Sequence, residues 1–130
     1  MHPFGMILDL DGTIYAGGRL LPGAGEFIEQ LKHKHIPYLY VTNNSSRTPE
    51  AVADHLRGLG IPATANEIYS SALAAANYIR ENKLGKKAYV IGEEGLCQAL
   101  AQAGIELADE QPDVVVQGID RQFSYEKMRK

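Results

Sequence analysis

The feature that most constrains this chain is an apolar run that ends in two aspartates, a glycine and a threonine. Residues 6–13 have the sequence MILDLDGT, so Asp9 and Asp11 flank Leu10. Residues two positions apart on a strand share a face, and Asp9 and Asp11 are therefore predicted to lie together at the carboxyl end of a strand. Open α/β sheets bind their ligands at that edge. The run therefore predicts a ligand site at the end of the first strand.

Two carboxylates this close together repel each other unless a cation lies between them. Mg²⁺ is the predicted cation, with Asp9 and Asp11 as its protein ligands, because it prefers oxygen ligands and keeps positions open for phosphate oxygens. Gly12 lets the backbone turn sharply and leaves room for a ligand to approach. The alternative is an ordinary surface turn, since Asp-Gly is a common turn pair.

Apolar segments alternate with segments of helical periodicity along the whole chain. Strands are predicted at residues 5–10, 38–41, 67–69, 88–91 and 113–117, and helices at 24–34, 48–59, 72–81, 94–103 and from 125 onward. This alternation predicts an α/β fold with a Rossmann-like, mostly parallel sheet. The first strand is predicted to be buried, and the valine run before Gln117 is typical of a parallel sheet covered on both faces. Ser71 is the predicted cap of the third helix, and Ser124 of the last.

Composition limits the classes of partner. The 130 residues suit one ordinary domain, and a net charge of −3 without a basic run argues against a nucleic-acid partner. No apolar stretch approaches the length of a membrane span, and no leader sequence is evident, so a cytoplasmic location is predicted. Cys97 is the single cysteine and is predicted to be a small buried hydrophobe. His33 and His35 are predicted to be surface residues, because no other ligand type completes a metal set beside them.

A second polar stretch follows the second predicted strand. Parallel strands can bring their ends side by side, so the hydroxyl of Thr42 is predicted to bind a phosphoryl oxygen, with Asn43 and Asn44 beside it. For Arg47, bidentate contact with phosphate and an exposed, solvated side chain remain equal alternatives. Without the two aspartates, this stretch would be interpreted as an ordinary polar loop before a helix.

Four stretches resemble one protein family. Residues 9–14, DLDGTI, resemble the first signature of the haloacid dehalogenase-like phosphohydrolases. Residues 41–47, VTNNSSR, resemble the second signature as it is written in the NagD-like, or 4-nitrophenylphosphatase-like, branch. Residues 90–95, VIGEEG, and 118–127, GIDRQFSYEK, are also similar to that branch. The resemblance covers nearly the whole chain.

The resemblance implies a Mg²⁺-dependent phosphatase that acts on small phosphorylated metabolites. Asp9 would be the nucleophile that forms an aspartyl phosphate, and Asp11 would be the general acid and then the general base. The backbone carbonyl of Asp11 would also ligate the metal. A homodimer is compatible with the resemblance. Two alternatives stay open: a phosphotransferase or mutase of the same superfamily, and a non-catalytic phosphoacceptor or binding module.

The spacing of the two signatures predicts the domain organisation. The 30 residues between Asp11 and Thr42 leave no room for a separate cap domain. Residues 1–84 are therefore predicted to be the N-terminal part of the core, and residues 85–130 the beginning of an α/β cap. The last helix has scarcely begun at Lys130, which predicts a chain that continues with the rest of the cap and core.

Two parts of the family's site are not found in the sequence: the third-signature lysine and the later acidic pair. This stretch alone is therefore expected to bind Mg²⁺ weakly and to turn over poorly. Gly17 and Gly18 have two interpretations. They form either a mobile flap over the site, as the resemblance implies, or a simple hairpin turn.

Overall fold

The computed structural model describes residues 4–130, which form two compact units of strands and helices. The first unit comprises residues 4–42 and Pro49–Tyr69, and the second comprises Asn43–Thr48 and Ser70–Lys130. Each unit contains a sheet with parallel strands. The predicted α/β class with mostly parallel sheets is therefore confirmed.

The first unit is built on a three-stranded sheet. Its elements in chain order are β1 (Met6–Asp9), β2 (Tyr15–Ala16), β3 (Arg19–Leu20), α1 (Ala24–His33), β4 (Tyr38–Thr42), α2 (Pro49–Gly58), a 3₁₀ turn (Ala65–Glu67) and β5 (Ile68–Ser70). The strand order is β1-β4-β5, and β2 and β3 form a separate antiparallel hairpin. β1 and β4 run parallel, so their carboxyl ends lie at the same edge of the sheet.

The helices of the first unit form where the periodicity predicts them. α1 buries Ala24, Ile28 and Leu31, which lie on one face at helical spacing. α2 begins at Pro49, because the fixed φ of proline suits the first turn of a helix. Gly60, with φ of +89°, follows the end of α2 in a left-handed conformation that favours glycine.

The second unit has a parallel three-stranded sheet of its own. Its elements are α3 (Ser71–Glu81), β6 (Lys87–Ile91), α4 (Glu94–Gln102), β7 (Glu106–Leu107), β8 (Val114–Gln117) and α5 (Tyr125–Arg129). The strand order is β7-β6-β8. Its core consists mainly of alanines and larger apolar residues of α3 and α4, with Ala88 of β6 and Ile105 before β7: Ala72, Ala76, Ile79, Ala88, Leu96, Ala99, Leu100 and Ile105. The alanines let α3 and α4 approach each other closely.

Two strands are more exposed than the sequence predicts. Ile7 in β1 is 77% exposed and Val115 in β8 is 65% exposed. The face of β1 that carries Ile7 and the face of β8 that carries Val115 are both open to solvent within residues 4–130. For the part of the chain that the structure describes, the predicted burial of the first strand and the predicted coverage of the valine strand on both faces are therefore wrong.

Three local details refine the predicted elements. The cap of α3 is Ser70, whose hydroxyl accepts a hydrogen bond from the amide of Leu73, whereas Ser71 is the first helical residue. Ser124 caps α5, as predicted. The short strand β7 was not predicted, because two residues carry no periodic pattern.

The compact units do not coincide with the predicted boundary between residues 84 and 85. α3 lies before that boundary, yet its buried face shares a core with β6 and α4. The loop Asn43–Thr48 also belongs to the second unit. The assignment of 1–84 to a core and 85–130 to a cap remains a prediction.

The helices of the described chain are short. The longest, α3, has 11 residues, whereas a membrane-spanning helix needs about 20. None of the helices in residues 4–130 combines the length and the apolar character required to cross a membrane.

Candidate active site

β1 carries the two predicted catalytic acids to the carboxyl edge of the first sheet. Asp9 is the last residue of β1, and both Asp9 and Asp11 are exposed. Leu10, between them, is fully buried and anchors the strand end in the core. The alternation of a buried leucine with two exposed acids is the arrangement that the sequence predicts.

A tight turn follows the acids and is held by its own backbone. The carbonyl of Leu10 accepts hydrogen bonds from the amides of Thr13 (3.1 Å), Ile14 (2.9 Å) and Tyr15 (3.2 Å). The amide of Gly12 donates to the carbonyl of Tyr15 over 2.7 Å. Gly12 has φ of +84°, and a β-carbon there would meet no atom within 4 Å. Glycine is thus required for the backbone conformation; its contact with phosphate stays a prediction.

The two acids are suited to share a cation. Within residues 4–130, the carboxylates of Asp9 and Asp11 make no hydrogen bond or ion pair. No group of three or more histidine, cysteine or acidic residues that could hold a metal occurs in the described chain. Mg²⁺ is commonly bound through one or two carboxylates, with water and phosphate oxygens as the other ligands. The pair therefore fits this ion as a partial protein site.

Thr42 lies at the same edge of the sheet as Asp9. β1 and β4 are paired in register, with Asp9 opposite Val41, so Thr42 is one position further along. Thr42 is only 3% exposed. The predicted proximity of the two strand ends is therefore observed, and a hydroxyl contact with phosphate remains a prediction.

The loop that follows Thr42 is closed by a side chain from within it. The carboxamide oxygen of Asn44 accepts hydrogen bonds from the amide of Ser46 (2.9 Å) and from its hydroxyl (2.6 Å). This is an Asx turn, in which a side chain takes the place of a backbone acceptor. Ser45 and Ser46 are both buried. Part of the predicted phosphate-binding side chain of Asn44 is thus used to shape the loop.

Residues far along the chain fix the same loop. Ser71 donates its hydroxyl hydrogen to the carbonyl of Asn43 (3.0 Å), and the amide of Gly95 donates to the carbonyl of Ser46 (3.0 Å). The amide of Ile119 donates to the hydroxyl oxygen of Ser45 (3.2 Å). The loop is therefore an integral part of the second unit.

Two glycines permit this close packing. A β-carbon on Gly95 would lie 2.6 Å from the carbonyl oxygen of Ser45 and closer still to that of Arg47. A β-carbon on Gly118 would lie 2.5 Å from the hydroxyl oxygen of Ser45. Both glycines belong to the two branch-specific stretches, which had no chemical explanation in the sequence. Their role in the structure is to let the backbone approach the loop.

An ion pair joins these two stretches. Glu93 accepts two hydrogen bonds from Arg121, one from the backbone amide and one from the guanidinium, each over 2.8 Å. Asp120 pairs with Lys127 over 2.7 Å, and its side chain is only 3% exposed. The hydrogen bond from Lys127 lowers the pKa of Asp120, and the amide of Gln122 adds to that shift. The Glu93–Arg121 pair thus links the two stretches from which the amides of Gly95 and Ile119 donate hydrogen bonds to the loop.

The structure divides the predicted site residues between the two units. The first unit carries the acids and the strand-end residues: Asp9, Asp11, Gly12 and Thr42. The second unit carries the loop residues: Asn43, Asn44 and Arg47. Arg47 is exposed, and its guanidinium makes no hydrogen bond or ion pair within the described residues.

Cys97 and the two histidines on the first unit do not add to the site. Cys97 is half-buried, whereas it was predicted to be a small buried hydrophobe. Burial raises the pKa of its thiol, and the negative charge of Asp120 adds to that effect. A raised pKa lowers the thiolate fraction and disfavours a nucleophilic role. His33 and His35 are exposed, as predicted.

Known proteins resemble this chain over most of its length. A profile of the family described as haloacid dehalogenase-like hydrolase matches residues 6–106. The chain is 47% identical to the 5'-nucleotidase YutF of Bacillus subtilis over 123 residues, which cover 95% of this chain and 48% of that protein. It is 48% identical to an acid sugar phosphatase of Staphylococcus aureus, with coverage of 94% and 48%. The chain thus spans about half the length of these relatives.

Solved structures agree with the sequence relatives. A thermostable NPPase from Geobacillus stearothermophilus superimposes with a TM-score of 0.89 at 50% identity, over 96% of this chain and 49% of that one. NagD from E. coli K-12 gives 0.89 at 34% identity, with coverage of 96% and 50%. A glycerol phosphate phosphatase from Mycobacterium tuberculosis, solved in complex with magnesium, gives 0.87 at 32% identity, with coverage of 95% and 39%.

The geometry of the site and the comparisons point to the same family. The acids end the first strand, the second-signature threonine ends its parallel neighbour, and the family profile spans both. The relatives include NagD itself and phosphatases that are similar over nearly the whole chain. The chain therefore belongs to the haloacid dehalogenase-like hydrolases, in their NagD-like branch.

Proposed function

We propose that the protein to which this chain belongs is a Mg²⁺-dependent phosphatase that hydrolyses small phosphorylated metabolites through an aspartyl phosphate on Asp9. One observation carries the proposal: Asp9 and Asp11 are exposed at the carboxyl end of β1, beside the end of β4 at Thr42. Carboxyl ends of parallel strands are where α/β folds bind ligands. Relatives named as a nucleotidase and as an acid sugar phosphatase support the reaction class.

The first half of the proposed reaction transfers the phosphoryl group to the protein. A carboxylate oxygen of Asp9 attacks phosphorus in line, and the bond from phosphorus to the leaving oxygen breaks. Asp11 donates its proton to that leaving oxygen, which departs as an alcohol. The hydroxyl of Thr42 and the amide group of Asn43 bind phosphoryl oxygens in this proposal.

The second half returns the site to its starting state. Asp11, now a carboxylate, accepts a proton from a water molecule that attacks phosphorus. The bond from phosphorus to the Asp9 oxygen breaks, and inorganic phosphate leaves. Mg²⁺, held by the Asp9 carboxylate and by Asp11, would offset the negative charge that gathers around the phosphoryl group. The magnesium complex of the glycerol phosphate phosphatase supports this choice of ion.

The test uses the full-length protein with 4-nitrophenyl phosphate and with glycerol phosphate. Replacement of the nucleophile in Asp9→Asn is expected to lower kcat by at least about 10³-fold. EDTA is expected to abolish activity, and added Mg²⁺ to restore it. Asp54→Asn is the matched control, since Asp54 is an exposed acid on α2 and pairs with Arg57.

Other outcomes would contradict the proposal. Formation of glycerol phosphate from 4-nitrophenyl phosphate and added glycerol would indicate a phosphotransferase or mutase. A phosphoaspartate that persists for minutes without release of phosphate would indicate a phosphoacceptor module. Full activity in Asp9→Asn would exclude the proposed nucleophile.

We also propose that the protein acts in the cytoplasm.

We further propose that residues 85–130 begin the α/β cap of this phosphatase. A cap over the site would exclude water and select the leaving group. The glycine-mediated packing of the second unit on the loop at residues 43–48 supports a role for this unit next to the site residues on that loop. Exchange of the region from residue 85 to the end of the cap for that of a relative with another substrate should transfer that substrate preference while it keeps core partners for α3.

A further inference from the structure

We propose that His55 is a positioning residue that holds the β2–β3 hairpin against α2 and, through Tyr15, fixes the turn that carries Asp11. The catalytic consequence rests on the proposed function, since that is where Asp11 receives its role. The structural consequence does not depend on it. His55 makes no contact with substrate in this proposal and acts through its neighbours.

His55 makes two contacts with the hairpin from its position on α2. Its ring meets the ring of Tyr15 edge to face, with centroids 4.8 Å apart and planes at 85°. Its Nε2 lies 3.3 Å from the carbonyl oxygen of Gly17. A carbonyl oxygen can only accept, so this bond requires a hydrogen on Nε2. One side chain therefore contacts both the base and the tip of the hairpin.

Tyr15 connects this contact to the catalytic turn. Its side chain is nearly buried, at 6% exposure for the whole residue. Its carbonyl accepts the 2.7 Å hydrogen bond from the amide of Gly12, and its backbone forms a bridge with Asp11. A shift of Tyr15 would thus be transmitted directly to the backbone on which Asp11 and Gly12 lie.

The hairpin needs such an external contact. β2 and β3 have two residues each, and a hairpin of this size is not stable by itself in water. Its tip is Gly17-Gly18, with φ of +59° at Gly17, so the tip has no side chain with which to pack. The tip is therefore held from α2, and His55 is the residue that supplies two contacts to the hairpin.

Three substitutions of His55 separate the two contacts in the full-length protein. His55→Ala removes both, His55→Phe keeps an aromatic ring beside Tyr15, and His55→Gln keeps a donor for Gly17. His33→Ala is the matched control, because His33 is an exposed histidine on α1 of the same unit. If His55→Ala fails to fold, the two single-contact variants still carry the test.

The first readout is hydrogen exchange of the amides in residues 15–20, followed by mass spectrometry. Exchange in His55→Ala is expected to be about tenfold faster than in the unmodified protein, and intermediate in His55→Phe and His55→Gln. His33→Ala should leave it unchanged. Equal exchange in His55→Ala and His33→Ala would overturn the proposal.

The second readout compares kcat/KM for two leaving groups. 4-Nitrophenolate leaves with little help from an acid, whereas the glycerol alkoxide needs the proton of Asp11. His55→Ala is expected to lose about tenfold more kcat/KM with glycerol phosphate than with 4-nitrophenyl phosphate. Equal losses would contradict a connection from His55 to Asp11.

The failure of this proposal can be distinguished from the failure of the proposed function. The exchange comparison uses no substrate, so an unmodified protein without phosphatase activity would contradict the function and leave the hairpin contact to be judged by exchange. An active protein whose hairpin exchange does not respond to His55→Ala would contradict the positioning role alone.

Discussion

The turn that follows β1, at residues 10–15, and the loop that follows β4, at residues 43–48, differ in where their hydrogen-bond partners lie along the chain. The loop after β1 is closed by neighbours in sequence, since the carbonyl of Leu10 accepts hydrogen bonds from three amides within the next five residues. The loop after β4 is held by Ser71, Gly95 and Ile119, which lie 28 to 74 residues away from their partners in the loop. The turn at residues 10–15 is therefore closed by local hydrogen bonds, although the hairpin that follows it is held from α2, whereas the loop after β4 depends on the fold of the second unit.

The difference shows why the two signatures differ in how much the sequence reveals. A locally closed turn has a readable requirement, here the positive φ of Gly12. A loop that is held by distant residues restricts the size of those residues instead, so that only glycine fits at positions 95 and 118, as with Gly95 and Gly118. Those residues carry no chemistry of their own, and they matter because another backbone comes close to them.

The largest expected effect comes from adding one methyl group at Gly95. Its β-carbon would lie 2.6 Å from the carbonyl oxygen of Ser45, so the loop or α4 must move. Gly95→Ala is expected to lower the free energy of unfolding by about 3 kcal/mol. In Gly12→Ala the added β-carbon would contact no atom within 4 Å. The free energy of unfolding is then lowered only by the left-handed backbone conformation of residue 12, by about 1 kcal/mol. Urea denaturation of the full-length variants measures both.

The control for these alanine variants is Gly58→Ala. Gly58 lies in α2, where a β-carbon would meet nothing within 4 Å, so this change is expected to be neutral or mildly stabilising. A larger loss for Gly12→Ala than for Gly95→Ala would contradict the distinction between the two loops.

A double-mutant cycle at Ser45 and Gly118 tests the long-range contacts of the loop after β4, with an expected effect of intermediate size on stability. Ser45→Ala leaves the amide of Ile119 without its acceptor, at a cost of about 1–2 kcal/mol. Gly118→Ala should cost about 1–3 kcal/mol, because its β-carbon would lie 2.5 Å from the hydroxyl oxygen of Ser45.

The double variant should lose less stability than the sum of the two, since removal of the hydroxyl also removes the main clash. Additive losses in urea denaturation would indicate that the hydroxyl of Ser45 and Gly118 do not interact.

The smallest expected effect is a dependence on pH at Asp120. Lys127 holds the pKa of Asp120 below its usual value of about 4, so their ion pair stabilises the folded protein above that pH. The contribution is lost as the pH falls through the lower pKa of the folded state. Asp120→Asn should therefore melt at a lower temperature than the unmodified protein at pH 7, with a difference that shrinks below about pH 4.

Glu110→Gln is the control for this experiment, because Glu110 is an exposed acid of the same unit. Its melting temperature should follow that of the unmodified protein at each pH. A difference for Asp120→Asn that stays constant from pH 7 to pH 3 would show that the ion pair is not its source.

Much of the fold and the placement of the candidate site residues at two strand ends could be predicted because their causes are local. The periodicity of α1 and α2 and the apolar β-prone segments of β1 and β4 appear in any short window. The α/β class follows from their alternation. The position of Asp9 at the end of β1, with Asp11 two residues further on, was predicted from the apolar run before them, and the nearness of Thr42 from the way parallel strands bring their ends together.

The cap of α3 and the exposure of β8 could not be predicted from the sequence, because they depend on which segments of the chain contact each other. Ser70 rather than Ser71 caps α3, since the hydroxyl of Ser71 is used by the carbonyl of Asn43. The exposure of Val115 depends on which elements pack on the two faces of β8, and the valine run itself does not indicate whether both faces are covered.

The sequence by itself determined most of the helices and strands, the family and the position of the two acids at a strand end, because hydrophobic period and motif spacing are properties of neighbouring residues. Only the tertiary structure decided that His55 meets the hairpin at Tyr15 and that Gly95 lies under the loop of Ser45. Contacts between residues tens of positions apart form only when the folded chain brings their elements together. At such close contacts the packed interior has no space for an additional β-carbon, as at Gly95.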